Sequence, residues 1–267
     1  ILYLEHLYVF RMVEGDVLSN RRLIRLVLTK LLADEISALE STRLTVNLKQ
    51  TQPLSCAVHQ LFDEEFLFQY LEDVRKEVNA PDLLVAASMF SKRYSLIITL
   101  PTLLMLTVYN KRLAWSKDDL QLSDSASEQW WLPSIHIAQL NYEEIKKGEE
   151  GSRQIETLFT QLFAEHLTPL WQLLHKQTGI PTATLWENTF AYIKWFYHTV
   201  LPEKADLTRV QEDFQWIGQA SGDLFGLRKN PFAPFYQEQK QEERLTCCFA
   251  YKCSADKVMC TSCPKMK

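Results

Sequence analysis

The sequence predicts a mainly α protein (α+β): a helical bundle with a small antiparallel sheet and an irregular C-terminal tail. Three observations predict it. Only seven glycines occur in 267 residues. Apolar residues recur at three- and four-residue spacing through most of the chain. Five of the six cysteines fall in the closing stretch 244–267, "RLTCCFAYKCSADKVMCTSCPKMK". With 46% hydrophobic residues, a chain of this length buries a sizeable core without cross-links, so disulfides are not demanded by size.

Each element has its own local signal. "ILYLEHLYVFRM" carries Glu5 and His6 within its apolar run and no A-x-A-like site comes after it, so it does not read as a secretory signal. Val17 to Leu39 repeats Leu23, Val27 and Leu31 between Arg21, Arg22, Arg25 and Lys30, an amphipathic helix. Residues 43–50, "RLTVNLKQ", have strand character, and 63–78 read as a second amphipathic helix. "NAPDLL" at 79–84 stops that helix and starts the next, because proline restricts the residue before it and is tolerated in a first turn. Tyr94 to Asn110 is the longest uncharged run. It falls short of a membrane span and contains Pro101, so it reads as a core helix. "LAWSKDDLQLSD" and "QWWLPSIHIAQL" favour extended chain and supply the rest of the sheet.

The second half is more regular. Ser152 to Gln177 predicts a long helix bent at Pro169 and closed by Gly179 and Pro181. Residues 184–201 predict an aromatic-rich helix opened by Thr184 and Glu187 in capping-box spacing, and 203–220 another. Gly218, Gly222 and Gly226, spaced by four, suggest close helix packing or a helix end. "NPFAPFYQEQ" then leaves periodic structure. The charged stretch 143–154 divides the chain into an N-terminal helical region with the sheet (1–142), a C-terminal helical bundle (143–230) and the tail (231–267), which together can form one compact unit.

Several functions are excluded. A net charge of −4 and a pI near 5.9 give no electrostatic case for nucleic acid. No G-x-G pair exists, so neither dinucleotide nor P-loop chemistry has its backbone cradle. The six histidines form no H-x-x-x-H pair, no G-x-S-x-G occurs, and Asp63–Glu64 and Asp118–Asp119 read as caps or solvated faces.

The tail carries the chemistry. Cys247 and Cys248 are adjacent, and Cys260 and Cys263 form a C-x-x-C pair, so four thiolates are available to a metal centre. Zinc prefers a first pair separated by two to four residues, and adjacent cysteines diverge along an extended chain. A binuclear iron–sulfur cluster relaxes that constraint. A redox disulfide and unpaired thiols complete the alternatives, whereas Cys56 reads as an ordinary buried thiol. Arg93, Lys111, Lys194 and Arg228 are cations within or beside apolar stretches, and Trp195 and Tyr197 stand in an aromatic run. Lys194 is notable for interrupting "TFAYIKWFYH", a charge in an apolar run. Arg244, three residues before Cys247, brings a further positive charge to the tail.

"TCCFAYK" followed by "CTSCP" resembles the ending of the FhuF-like ferric siderophore reductases, in which Cys-Cys, ten residues and Cys-x-x-Cys hold a 2Fe-2S cluster. Here eleven residues separate the pairs, and Cys253 is extra. "FSKRYSLIITLPTLLMLTVYNKRL" resembles that family's central hydrophobic helix, and "LFG" with "NPF" its approach to the tail. The resemblance implies a cluster-binding tail with Cys247, Cys248, Cys260 and Cys263 as ligands, and no catalytic residue beyond the cluster. It further implies one-electron reduction of a ferric siderophore of hydroxamate type to release Fe(II), and a pocket for that often anionic complex, with Arg93, Lys111, Lys194 and Arg228 as candidate cations and Trp195 or Tyr197 as a wall. Electrons would come from an external donor such as a ferredoxin, in the cytoplasm, free or at the membrane surface, with no transmembrane segment. A zinc-stabilised helical interaction module and a non-catalytic siderophore-binding redox sensor are the competing readings of the same tail.

Overall fold

The computed structural model describes residues 31–46, 54–124, 131–236 and 244–266 of the chain. The expectations for the N-terminal apolar stretch and for Val17 to residue 30 lie outside the described residues. Within the described residues of that expectation, α1 (Ala33–Ser41) starts after Leu32, whose backbone is extended.

The centre of the fold is α3 (Leu83–Thr107), which starts where Asp82 accepts the Val85 N–H at 2.9 Å. It is buried nearly all round, as a helix without a polar face must be. The whole helix, longer than its uncharged run, is long and apolar enough to cross a membrane, but 72% of its most apolar window lies inside the fold, as expected of a core helix. Pro101 removes one backbone donor. Side chains nearby bond back to the backbone, Thr99 Oγ1 to the Ser95 carbonyl at 2.7 Å and Thr102 Oγ1 to that of Ile98 at 3.1 Å.

Around α3 pack α1, α2 (Glu64–Glu77), α5 (Thr168–Thr178), α6 (Thr182–Trp195) and α7 (Leu207–Gln219), with α6 its most extensive partner. The caps explain the boundaries. Asp63 caps α2 through Phe66 N–H, and Arg75 and Lys76 sit in its last turn. Asn79, left-handed at φ 53°, turns the chain towards Pro81. Asp206 caps α7 through the N–H groups of Thr208 and Arg209. Buried apolar residues from Leu39 to Phe235 form one core.

The sheet is mixed, not antiparallel throughout. Strands β1 (Leu44–Thr45), β2 (Cys56–Ala57), β4 (Leu120–Ser123) and β5 (Ser134–Ile137) run in the order β1-β5-β4-β2. The β1–β5 pair is parallel, Leu44 opposite Ile135. β3 (Lys111–Ala114) and β6 (Asn141–Glu144) form a separate antiparallel ribbon. Cys56 lies in β2, and burial pushes its thiol up to about 12, as an ordinary buried thiol should be.

Two helical expectations need correction. The helix over 152–177 is α4 (Glu149–Phe159), then a π segment, Thr160–Leu167, then α5. The run is helical throughout, and Pro169, which removes one backbone donor from it, follows directly on the π segment at the start of α5. Gly179, at φ 69°, closes α5 as expected. Thr184 and Glu187 form no capping box: α6 starts at Thr182 after Pro181, and both residues are buried inside it. The three spaced glycines behave as expected. Gly218 lies against the Tyr236 ring, where a Cβ would come within 2.3 Å, and Gly226 ends a short 3-10 turn at φ 64°.

Candidate functional site

The tail returns to the helical body by a polar hook. The Glu187 carboxylate, 5% exposed in α6, accepts the backbone N–H groups of Leu245 and Thr246, each at 2.6 Å, and the Thr246 hydroxyl. Arg244 reaches the same carboxylate at 3.6 Å and donates to Asn188 Oδ1 at 2.7 Å. Asn188 in turn donates to Ser91 Oγ at 2.9 Å and to Ser88. Ser88 Oγ donates to the Cys248 carbonyl at 2.7 Å. α3 and α6 thus fix the main chain on both sides of Cys247. A buried carboxylate satisfied by several donors and a guanidinium escapes the penalty of an unpaired charge.

Beyond the hook the chain folds on itself. Phe249, left-handed at φ 59°, turns it immediately after the adjacent cysteines. The Arg244 N–H donates to the Ser262 carbonyl at 2.9 Å and the Cys263 N–H to that of Cys260 at 3.0 Å, which brings the second cysteine pair back against the first. Cys247, Cys248 and Cys263 are buried, and Cys260 is exposed. Donors face the sulfurs: Phe249 N–H lies 3.3 Å from Cys247 Sγ, Lys92 Nζ 3.9 Å from Cys248 Sγ and Ser262 Oγ 3.9 Å from Cys260 Sγ. Burial pushes the Cys247 thiol up, opposed by the Phe249 N–H and reinforced by the nearness of Cys263 and Cys248. Burial and then the neighbouring Cys248 do the same to Cys260.

Crowded, half-desolvated thiols of this kind resist ionising without a cation among them, and a metal centre deprotonates them outright. Among the described residues no three His, Cys, Asp or Glu side chains form a ligand set for one metal ion. Two thiol pairs contributed by two chain limbs, with N–H and hydroxyl donors towards the sulfurs, fit a binuclear cluster in donor chemistry.

The remaining expected residues separate into groups. Arg93 lies beside the tail on α3, next to Lys92, and with Cys253 lines a pocket there. Lys111 and Tyr197 belong to the other end of α3, roughly 20 Å along the helix from Lys92. Lys111 is buried in an ion pair with Glu35 and over the Tyr142 ring. Tyr197 is buried, its hydroxyl 3.0 Å from Thr107 Oγ1. Both are structural partners at that end, set apart from the thiols. Lys194 is half-buried, and burial lowers its pKa. Trp195 is 47% exposed at the end of α6. Arg228 is exposed in the turn after Gly226. The Arg244 charge is paired with Glu187, and Lys92, Arg93 and Lys265 bring further positive charge near the tail thiols. Sequence reasoning missed Glu187, Asn188 and Lys92. Glu187 had the signature of a helix cap, and nothing local ties it to a residue 58 positions away.

A helical body that grips a four-thiol tail defines a metal–thiolate protein. The chain belongs to the FhuF-like ferric iron reductase family: the family described as "Ferric iron reductase FhuF-like transporter" matches residues 88–245, more than half the chain, and "FhuF 2Fe-2S C-terminal domain" matches residues 244–265. The tail is accordingly a 2Fe-2S domain. No curated protein matches the sequence significantly. One solved structure, aerobactin synthetase IucC from a hypervirulent pathotype of Klebsiella pneumoniae, is 14% identical over 66% of this chain and 32% of that one, with a TM-score of 0.40. The chain spans about a third of that structure's length, and a likeness this slight carries no argument.

Proposed function

We propose that the protein reduces ferric siderophores of hydroxamate type to release Fe(II), taking electrons from an external carrier such as a ferredoxin, in the cytoplasm, with Cys247, Cys248, Cys260 and Cys263 holding its 2Fe-2S cluster. The observation that carries this reading is the hook: Glu187 and Ser88 position the first cysteine pair from two core helices, and the Arg244–Ser262 bond returns the second pair to it.

Hard oxygen ligands favour Fe(III) over Fe(II), so reduction is a release step. Each tenfold preference lowers the potential of the iron couple by about 59 mV, and a preference of roughly ten decades lowers it by about 0.6 V. When bound, the cluster supplies single electrons at low potential, near about −400 mV for the plant type. The chain's own residues supply the rest. Glu187 holds the ligand limb, Lys92 sets a positive charge beside Cys248, and exposed Cys260 leaves one side of the thiol set open to solvent. The reducing equivalent leaves the protein on the iron, and the freed hydroxamate oxygens take protons from water.

Anaerobically purified protein should be coloured, contain about two irons and two sulfides per chain, bleach with dithionite and release Fe(II) from ferric desferrioxamine B to a ferrous trap. Cys263→Ser should lose both the visible absorption and the release. A colourless preparation, or a Cys263→Ser variant that keeps colour and turnover, would overturn the reading.

A further inference from the structure

A pocket of about 300 Å³ opens beside the tail. Lys92 and Arg93 of α3, Tyr192 of α6, Trp131, Cys253 and Glu77 line it. The larger cavity, about 710 Å³, is lined by residues 115–118, 153–166 and Leu224, and by none of the tail. Of these two, the smaller one brings a ligand near the thiols. One side chain joins the two places directly: Lys92 lines the pocket and its Nζ lies 3.9 Å from Cys248 Sγ.

The wall chemistry is unusual in one respect. The Arg93 guanidinium lies 5.5 Å from the centroid of the Trp131 ring, a cation–π contact that holds it in place. Arg93 Nη1 and Trp131 Nε1 are both buried and have no hydrogen-bond partner among the described residues. Both groups are donors only, and buried donors are normally satisfied. The pocket wall thus carries two cations, Lys92 and Arg93, and two unpaired N–H groups against the single carboxylate of Glu77, which suits a ligand rich in oxygen and negative in charge. Its volume is at the lower end for ligand sites, enough for one edge of a bulky chelate with the rest outside.

We propose that this pocket seats the oxygen-bearing edge of an anionic ferric hydroxamate chelate, with Arg93 as the donor that discriminates its charge and Trp131 as the wall that holds Arg93. The assignment rests on the reductase reading above and adds to it a location and a charge preference. Glu77, exposed on the pocket's rim, opposes the same ligand.

The test uses holoprotein and a redox-inert probe, so that binding is read without turnover. The gallium(III) complex of desferrioxamine B carries an ammonium group, and that of its N-succinyl derivative carries a carboxylate on the same chelating core. Calorimetric titration should show the succinylated complex binding about tenfold more tightly or better. Arg93→Gln should abolish that difference and raise KM for the ferric succinylated complex with kcat unchanged, while Arg93→Lys should restore most of the preference. Glu77→Gln changes an exposed residue and leaves the fold alone. It should tighten binding of the succinylated complex by about threefold and leave the ammonium form weaker. Wild-type protein that binds and reduces both chelates, with affinities unchanged in Arg93→Gln and Glu77→Gln, would overturn this site and leave the reductase intact. Wild-type protein that binds and reduces neither would overturn both.

Discussion

Glu187 holds two main-chain N–H groups at 2.6 Å each and faces Arg244. Truncation to alanine strands those donors and the guanidinium in a buried place, at a cost of about 3 kcal/mol. Glu187→Gln keeps one acceptor and should cost about 1.5 kcal/mol. Both values are readable from denaturant titration, and iron content should fall in the same order. A variant with full iron occupancy and unchanged stability would show that the hook is idle. Lys92 acts differently because it touches a sulfur rather than the main chain. A positive charge near a thiolate stabilises the more negative, reduced state, so Lys92→Gln should lower the midpoint potential by on the order of 100 mV at an effective dielectric near 20. Voltammetry on the purified protein reads this directly, and an unmoved potential would remove Lys92 from any tuning role.

At the scale of elements, the π segment Thr160–Leu167 explains an otherwise odd histidine. A π-helix places one extra residue in a turn and re-aims the side chains after it. Here His166 is buried, 2.7 Å from the Tyr94 hydroxyl of α3 and edge-on to Trp115 and Phe62. Burial first, and then the Lys117 charge, holds its pKa down at about 3. Nε2 must accept the Tyr94 proton, so the folded state needs the ring neutral. The unfolded chain binds a proton there below about 6.5 and the folded chain does not until about 3. Stability from this site is therefore complete above pH 6.5 and is lost as the pH falls from 6.5 towards 3, by about 1.4 kcal/mol per pH unit. Thermal melts from pH 7 to 4 should show a shallower decline for His166→Gln than for the wild type. Parallel declines would mean that His166 is protonated in the fold.

On the scale of the whole molecule, body and tail differ in what holds them. Core side chains of the helical body bury one another from Leu39 to Phe235, whereas the tail depends on the hook, on a few partly buried contacts such as Phe249 and Ala250, and on its thiols. Removing the metal under anaerobic conditions should release the tail and leave the helices in place. Hydrogen exchange would show this as lost protection in 244–266 with α3 and α6 unchanged. Simultaneous loss in α3 would mean that the body requires the cluster to fold.

Legibility in the sequence divides along the same line. Helices with local signals, such as Asp63 before an apolar repeat or Gly179 after one, were readable because a cap acts within one turn. The cysteine pairs were readable because their spacing is itself local. Strands of two residues, the parallel β1–β5 pair and the π segment were not, since each depends on a partner distant in sequence. Lys111 looked like a free cation because Glu35, 76 positions away, was invisible to any local reading. Glu187 was mistaken for a cap for the same reason. That residue has one more consequence: it grasps peptide groups and ignores the side chain of Leu245, which is 51% exposed. Position 245 should then accept charged, aromatic or small replacements alike and refuse proline alone, whose ring nitrogen has no hydrogen to offer.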